Sequence, residues 1–302
     1  VGGWGVPWQE YLQIAFTAVG GLGLFLFGIQ MMATGMQKAA GDRLRRILEV
    51  LTTRPIIGVL TGILITVLIQ SSSATTVMVV GFANAGLINL SQAISVIIGA
   101  NIGTTVTAQI ISFKIENIAF PVIGLGALII FFSKRKQYRY LGEALLGFGL
   151  LFLGISTMSA GLSPLKNLPA FHRLLVQFSA FPLLGVLGGA AFTALIQSSS
   201  AATGVIIALA MQGMISLNAA VPLILGSNIG TCITAFIASA GTNVTARRTA
   251  VAHLLFNFVG VLLTLLMIEP FTALVLKTAS TVPRQIANAH TIFNVLNSVF
   301  FL

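Results

Sequence analysis

Charged residues are scarce in this chain, and acidic ones are the scarcest. Only 7% of the 302 residues are Asp, Glu, Lys or Arg, and only 6 are Asp or Glu, whereas soluble domains carry roughly 25%. A single cysteine, Cys232, excludes an internal disulfide and a cysteine-based metal site. The 16 basic residues are divided among short segments between the apolar runs and form no single patch with interleaved aromatic residues, which argues against a nucleic-acid partner. The composition therefore excludes an ordinary soluble domain.

Apolar runs are what the sequence has instead. Hydrophobic residues make up 56% of the chain, and the mean hydropathy is +1.00. Several runs reach the length of about 20 residues that a helix needs to cross a bilayer. We therefore predict an all-α, polytopic protein of the cell membrane. No basic segment precedes the first run, so no cleavable signal peptide is expected.

Two polar motifs each occur twice, at the same spacing. Residues 70–76 read QSSSATT, and residues 197–203, 127 positions later, read QSSSAAT. Residues 99–104 read GANIGT, and the same offset of 127 leads to GSNIGT at 226–231. Polar side chains are costly in a bilayer unless they have partners. Two motifs kept in register therefore indicate a duplicated unit with a polar site.

The QSSS motif separates two apolar runs that are too short to cross a membrane. Residues 55–69 and 74–88 are 15 residues each, which is about 22 Å of helix against a hydrocarbon core of roughly 30 Å. This length favours a re-entrant hairpin over residues 55–88, with the QSSS segment at its tip. The second copy of the motif predicts the same hairpin over residues 182–215.

The second motif falls within the apolar run that follows each hairpin. Glycine and hydrogen-bonding side chains in the middle of a run predict a helix that is interrupted there, over residues 91–112 and again over residues 219–239. Irregular backbone is tolerated at that depth where it is buried in protein or lines a cavity. We therefore predict one broken transmembrane helix in each repeat.

We assign residues 11–140 to the first repeat, residues 141–268 to the second and residues 269–302 to a C-terminal helix. Each repeat is expected to contain three full crossings besides its hairpin, and an odd count makes the two repeats inverted. With the N-terminus outside, 11 of the 16 Lys and Arg residues face the cytoplasm, as the positive-inside rule requires. Two amphipathic stretches, 38–51 and 166–177, lie between the apolar runs, and the first fits a helix on the membrane surface.

The hairpin tips bring hydroxyl and amide groups to the start of a helix. Free N–H groups and the positive end of the helix dipole favour an anion at such a position, so two tips suit a tetrahedral oxyanion. The alternative is that these side chains only cap and join the helices, but the matched second copy favours a binding site. The candidate substrate ligands are Gln70, Ser71, Ser72, Ser73, Gln197, Ser198, Ser199 and Ser200.

Neither motif contains a charged residue, so the charge of an anion needs another partner. No carboxylate is expected at mid-membrane, which leaves a proton relay without its usual group. A co-bound hard cation such as Na⁺ would supply the charge and would take hydroxyl, amide and carbonyl oxygens. The candidate oxygen donors are Thr75, Thr76, Asn101, Thr104, Thr203, Asn228 and Thr231.

A His-x-x-Phe-Asn pattern also occurs twice. His253 and Asn257, like His290 and Asn294, lie four residues apart and so share one face of a helix. The asparagines could reach the site or a broken helix, but hydrogen bonding between helices is the favoured interpretation. Cys232 replaces the hydroxyl that Thr105 offers in the first repeat, so ligand roles at that pair of positions are not symmetric.

QSSS in both halves, followed by GANIGTT and GSNIGTC, resembles the sodium/phosphate cotransporter family, which includes the vertebrate type II transporters and bacterial relatives. AHLLFN at 252–257 is similar to the His-x-x-x-Asn segment of that family. The resemblance implies transport of inorganic phosphate with Na⁺ as coupling ion and no other cofactor. It implies that both QSSS segments bind phosphate and that Gln70 and Gln197 join the Ser and Thr residues as Na⁺ ligands. Ala202 stands where the first repeat has Thr75, so the two ligand sets differ.

We therefore expect a secondary transporter, not an enzyme, that works by alternating access. Hydroxyl-rich hairpins would also serve another oxyanion, such as a dicarboxylate or sulfate. An intramembrane serine hydrolase using His253 or His290 is disfavoured, because two equivalent tips do not suit a single nucleophile. A structural subunit is disfavoured because a scaffold gains nothing from short hairpins with polar tips. The expected partners are phosphate, Na⁺, the lipid bilayer and, for an elevator movement, a second copy of the chain.

Overall fold

A computed structural model describes residues 8–40, 54–113, 118–164, 173 and 180–302. The predicted amphipathic stretches 38–51 and 166–177 lie largely outside these residues. In chain order the described helices are α1 (Trp8–Ala40), α2 (Pro55–Ile69), α3 (Ser72–Asn84), α4 (Leu90–Ile111), α5 (Ala119–Phe132), α6 (Lys136–Leu162), α7 (Pro182–Ile196), α8 (Ser199–Met211), α9 (Leu217–Gly230), α10 (Ile233–Ser239), α11 (Val244–Leu266), α12 (Ile268–Leu276) and α13 (Val282–Phe301).

Five stretches of the described helices are long and apolar enough to cross a membrane. They are Leu12–Ala40, Leu90–Ile111, Lys136–Leu162, Leu217–Ser239 and Val244–Leu266. The prediction of an all-helical, multi-pass membrane protein is therefore confirmed. Helix α5, where a further crossing was expected, has 14 residues, which is about 21 Å and less than the hydrocarbon thickness of roughly 30 Å.

Each QSSS segment forms the turn between two short helices. Helices α2 and α7 have 15 residues each, and α3 and α8 have 13 each. Gln70 (φ 56°) and Gln197 (φ 58°) end the first helix of each pair in the left-handed conformation, which is uncommon for a residue other than glycine. The next residue is extended and begins the second helix. The two turns are therefore built alike.

The same backbone contacts hold the helices of both halves. Gly99 of α4 lies against the carbonyl of Val59, and Gly226 of α9 lies against the carbonyl of Val186, so that a Cβ at either glycine would overlap that oxygen. These pairs are 127 positions apart, as the polar motifs are. Close approach of α2 to α4 and of α7 to α9 therefore depends on glycine at matched positions.

Helices α1 and α6 pack along their length through glycine. Gly21 contacts Met158, Gly28 contacts Leu151 and Gly35 contacts Ala144, all through backbone atoms. The partner's number falls as the glycine's number rises, so the helices are antiparallel. Glycines at seven-residue intervals keep one face of α1 free of side chains, since seven residues make almost two turns. The first helices of the two predicted repeats therefore pack against each other along most of their length.

The predicted break of the helix over residues 91–112 is wrong. Residues 90–111 form one continuous helix. The side chain of Asn101 donates to the Ile97 carbonyl (2.9 Å), and Thr105 donates to the Ile102 carbonyl (2.8 Å). Both side chains therefore hydrogen-bond to carbonyls of their own helix, and Gly103 lies against α2. The motif therefore permits close packing without interrupting the backbone.

The second predicted break is present but is a tightened turn. Between α9 and α10 the N–H of Cys232 donates to the Ile229 carbonyl (3.0 Å), three residues back instead of four.

The predicted C-terminal helix 269–302 is wrong as a single element, because it consists of α12 and α13. Pro283 lies in the first turn of α13. Proline has no backbone N–H, but at this position an N–H would have no partner within the helix, so its absence costs nothing. Gln285 then donates to the carbonyls of Leu276 (3.2 Å) and Ala279 (2.8 Å) across the turn.

Candidate functional site

Both hairpin tips line one cavity of about 170 Å³. This volume is many times the roughly 15 Å³ that one water molecule requires, so a small polyatomic ion fits. The described residues in its walls carry hydroxyl, amide and aliphatic groups and no ionisable side chain. The lining residues are Ile29, Gln30, Ala33, Gln70, Ser71, Ser72, Ser73, Ile196, Gln197, Ser198, Ser199 and Ser200. All eight predicted substrate ligands are therefore brought together.

Helix α1 contributes a wall that the sequence analysis missed. Ile29, Gln30 and Ala33 face the cavity, and Gln30 adds an exposed amide to it. A signal was available, because Gln30 is a polar residue in a long apolar run. Residues 147–162 of α6 resemble residues 21–36 at an offset of 126, and they have Ser156 at the equivalent position. The cavity therefore has three sources of side chains, namely two tips and one long helix.

The first serine of each tip caps the helix that follows. Ser71 Oγ accepts from the Ala74 N–H (3.1 Å), and Ser198 Oγ accepts from the Ala201 N–H (3.2 Å). The capping interpretation is thus correct for these two side chains, although both also line the cavity. The first N–H groups of a helix have no partner within it. Those of α3 and α8 lie at the tips, and together with the dipole they favour an anion.

Hydrogen bonds link the two tips directly and through α4. Ser73 Oγ donates to the Gln197 carbonyl (3.3 Å). Thr104 Oγ1 donates to Ser72 Oγ (3.2 Å) and lies 3.3 Å from Ser200 Oγ. A hydroxyl has one hydrogen, so Ser200 is the donor in the second bond. Thr104 therefore joins serines from both halves.

The two glutamines of the tips have different environments. Gln70 is buried, with its Oε1 accepting from Thr107 Oγ1 (2.9 Å) and its Nε2 donating to the Val67 carbonyl (2.6 Å). Gln197 is exposed at the cavity wall. The first glutamine is thus fixed in place, whereas the second can turn toward a bound ion.

The threonines predicted as cation ligands differ between the halves. Thr66 Oγ1 donates to Thr75 Oγ1 (3.0 Å), which itself donates to the Ser71 carbonyl (3.1 Å). In the second half Ala202 replaces Thr75, and the buried hydroxyl of Thr193 has no hydrogen-bond partner. Thr203 Oγ1 is also buried without a partner. Thr76, like Thr203, is buried on the second helix of its hairpin.

The asparagines predicted as cation ligands also differ. Asn101 lies on α4, where it bonds to its own helix. Asn228 faces α13, where its Oδ1 accepts from Asn294 Nδ2 (3.2 Å) and lies 3.3 Å from His290 Nε2. Thr231, the counterpart of Thr104, has no hydrogen bond to a tip serine in the part of the chain that the structure describes. The copy of this motif at 226–231 therefore faces away from the tips more than the copy at 99–104 does.

A larger open cavity of about 560 Å³ adjoins the site. It lies between α3 and α10 and is mostly apolar, with Val77, Met78 and Ile237 in its walls. Ser73 and Gln197 line both cavities. The hydrogen bond between these two residues therefore stands where the open cavity meets the enclosed one.

The sequence profile of the Na⁺/Pi-cotransporter family matches this chain twice, over residues 24–160 and 155–282. The protein YqeW of Bacillus subtilis is 34% identical over 96% of this chain and 94% of its own length. YjbB of Salmonella typhimurium, named for inorganic phosphate export, is 30% identical over 90% of this chain, which spans 50% of that protein.

Sodium-dependent phosphate transport protein 2A of Rattus norvegicus is 38% identical over 98 residues, which are 31% of this chain and 15% of that protein. No solved structure matches the chain significantly. The functionally named relatives are transporters rather than enzymes, so the serine hydrolase interpretation is set aside. With a profile match in each half and full-length similarity to YqeW, the chain belongs to the Na⁺/Pi-cotransporter family.

Proposed function

We propose that this protein carries inorganic phosphate across the cell membrane with Na⁺ as coupling ion, and that phosphate binds between the two QSSS tips. Family membership supports phosphate transport in general. The observation that carries the proposal for the site is the shared cavity, because matched serines of both halves face one space of suitable size. Two helix N-termini at that space favour an anion over a neutral solute.

Sodium coupling is proposed from the charge of the site. None of the described residues that line the cavity is ionisable, so two half-charges from helix dipoles of about +0.5 each would leave a phosphate dianion incompletely neutralised. A co-bound Na⁺ would supply the remainder, with oxygens from Gln70, Gln197, Thr75 and Thr203 nearby. Thr76, Asn101, Thr104, Asn228 and Thr231 complete the proposed set.

Alternating access is proposed from the arrangement of the two halves. The antiparallel contact of α1 with α6 and the short hairpins support inverted repeats with re-entrant tips. With the N-terminus outside, the exposed Arg247 and Arg248 and the contact of Asn243 with Asn84 (2.9 Å) lie on the cytoplasmic side. The open cavity between α3 and α10 then leads from the cytoplasm to the site, and opening of the Ser73 to Gln197 contact would admit phosphate.

Reconstitution in liposomes tests the proposal. Uptake of radiolabelled phosphate is measured with an inward Na⁺ gradient, with K⁺ in place of Na⁺, and with sulfate or a dicarboxylate as competitor. We expect uptake that requires Na⁺ and resists both competitors. A carrier runs in either direction according to its gradients, so phosphate-loaded vesicles with Na⁺ inside should show efflux as well. Phosphate flux that is equal in Na⁺ and K⁺ would refute the coupling, and flux of another oxyanion alone would refute the substrate.

A further inference from the structure

A second polar cluster lies away from the hairpin tips, where α9, α11 and α13 meet. We call it the His/Asn cluster. Its side chains are fully or almost fully buried, and they come from the repeated His-x-x-Phe-Asn pattern and from the end of α9. The members are Asn228, Cys232, His253, Asn257, His290 and Asn294.

Hydrogen bonds fix the orientation of two amides in this cluster. Asn257 Nδ2 donates to the His253 carbonyl (3.1 Å), and Asn294 Nδ2 donates to the His290 carbonyl (2.9 Å). A carbonyl oxygen only accepts, so each amide nitrogen must face the histidine carbonyl of its own helix. The two Oδ1 atoms therefore face away from these bonds. Neither oxygen has a hydrogen-bond partner among the described residues, and both side chains are 0% exposed.

The histidines add unpaired acceptors. His290 Nε2 lies 3.3 Å from Asn228 Oδ1, and since that oxygen only accepts, Nε2 carries the proton. His290 Nδ1 is then a lone pair, and it has no partner. His253 Nδ1 is also buried without a partner. A cluster whose unpaired atoms are mainly acceptors calls for a cation or for donated hydrogens, because a buried acceptor left alone loses its full hydration.

The turn between α9 and α10 adds a backbone oxygen. In a regular helix the Cys232 N–H would donate to the Asn228 carbonyl, but here it donates to Ile229. Only the thiol of Cys232, a weak donor at 3.5 Å, approaches the Asn228 carbonyl. Asn294 contacts Asn228, and Asn257 contacts Cys232 (3.4 Å) one turn further on.

We propose that the His/Asn cluster binds a monovalent hard cation of the size of Na⁺. Its side-chain ligands are Asn257 Oδ1 and Asn294 Oδ1, the Asn228 carbonyl is the backbone ligand, and the histidine Nδ1 atoms accept from water on the ion. Asn228 Oδ1 already accepts two hydrogen bonds and anchors the site. The described residues contain no group of three His, Cys, Asp or Glu side chains that would favour a transition metal. This inference extends the proposed Na⁺ coupling to a site outside the hairpins.

Sodium-dependent stability of the full chain, without phosphate, tests the site. The purified protein is unfolded thermally while NaCl replaces choline chloride at constant ionic strength, and Tm is recorded against Na⁺ concentration. Binding to the native state raises Tm. The test variants are Asn257→Leu and Asn294→Leu, which lie on different helices. In each we expect the Na⁺ concentration that gives half of the rise in Tm to increase about tenfold or more, as for loss of a partner in a metal site.

Two controls separate this site from the hairpin tips. Asn297→Leu removes another buried amide of α13, which is 5% exposed and donates to the Phe256 carbonyl (2.9 Å), and it should lower Tm without changing the Na⁺ dependence. Gln197→Leu removes a proposed Na⁺ ligand at the tips and should leave a Na⁺-dependent rise. The inference is overturned if Na⁺ dependence is unchanged in a folded Asn257 or Asn294 variant, or if Gln197→Leu abolishes it. Water alone would then fill the cluster.

The same measurements with phosphate distinguish the two proposals. Phosphate-dependent stabilisation that is lost in Ser72→Ala, together with unchanged Na⁺ titrations in the cluster variants, would leave the proposed function standing without this site. Na⁺ titrations that depend on Asn257 and Asn294, in a protein that phosphate does not stabilise, would leave the cation site standing without the proposed substrate.

Discussion

Replacing Thr104 by valine tests whether the two tips act as one site. The substitution keeps the shape of the side chain and removes the hydroxyl that bonds Ser72 and Ser200. Two hydrogen bonds with a net contribution of about 0.5–1.5 kcal/mol each amount to about 1–3 kcal/mol. If that energy holds both serines in the geometry that binds phosphate, its loss appears in affinity as a factor of roughly 5 to 150.

The assay is initial phosphate uptake into proteoliposomes at saturating Na⁺, with KM determined for the wild type and for Thr104→Val. We expect KM to rise about thirtyfold, which corresponds to about 2 kcal/mol, the middle of that range. The matched control is Thr249→Val, since Thr249 is fully buried in α11 and donates only to its own helix at the Thr245 carbonyl (2.9 Å). A KM for Thr104→Val within twofold of wild type, or an equal rise in Thr249→Val, would refute the reasoning.

Three further predictions concern stability and are checked by Tm of the purified protein. Gly28→Ala should destabilise by about 2 kcal/mol or more, because its Cβ would overlap the backbone of Leu151, whereas Gly23→Ala, with nothing within 4 Å, should be neutral or stabilising; equal effects would contradict the close α1 to α6 contact. Ser71→Ala should cost about 1 kcal/mol and Ser71→Gly only a few tenths, as for an N-cap; the reverse order would show that capping is not its role. Asn243→Ala should cost about 1–3 kcal/mol, because it removes both the N-cap of α11 and the bonds to the end of α3; an unchanged Tm would contradict that double role.

The sequence was sufficient to locate the tips and their pairing. Four consecutive polar residues in an apolar neighbourhood need partners in a membrane, and the second copy at 197–200 is the partner that the structure supplies across a shared cavity. The length of the apolar runs predicted short helices joined by a turn, because the 15 apolar residues of α2 end where Gln70 turns the chain. The left-handed conformation of Gln70 was not predictable, since the residue type favours no such turn.

Long-range packing explains what the sequence analysis missed. Polar residues such as Asn101 indicated a break in α4. The Asn101 side chain bonds within that helix, however, and α2 covers the neighbouring Gly103. The contribution of Gln30 to the cavity depends on the contact of α1 with α6, which joins residues more than a hundred positions apart. Only the fold decides which of several matched polar positions, such as Gln30 and Ser156, reaches the site.

The unpaired hydroxyl of Thr193 has an energetic consequence for a carrier built from two related halves. If outward and inward states arise when the halves exchange conformations, identical halves would make the two states equal in free energy. The bond from Thr66 to Thr75 exists in one half. In the other half Ala202 stands at the position of Thr75, and the Thr193 hydroxyl has no partner among the described residues. An imbalance of about 1 kcal/mol, the net value of such a bond, would favour one resting orientation roughly fivefold. Restoring the hydroxyl with Ala202→Thr should therefore move the empty carrier toward equal occupancy of its two orientations.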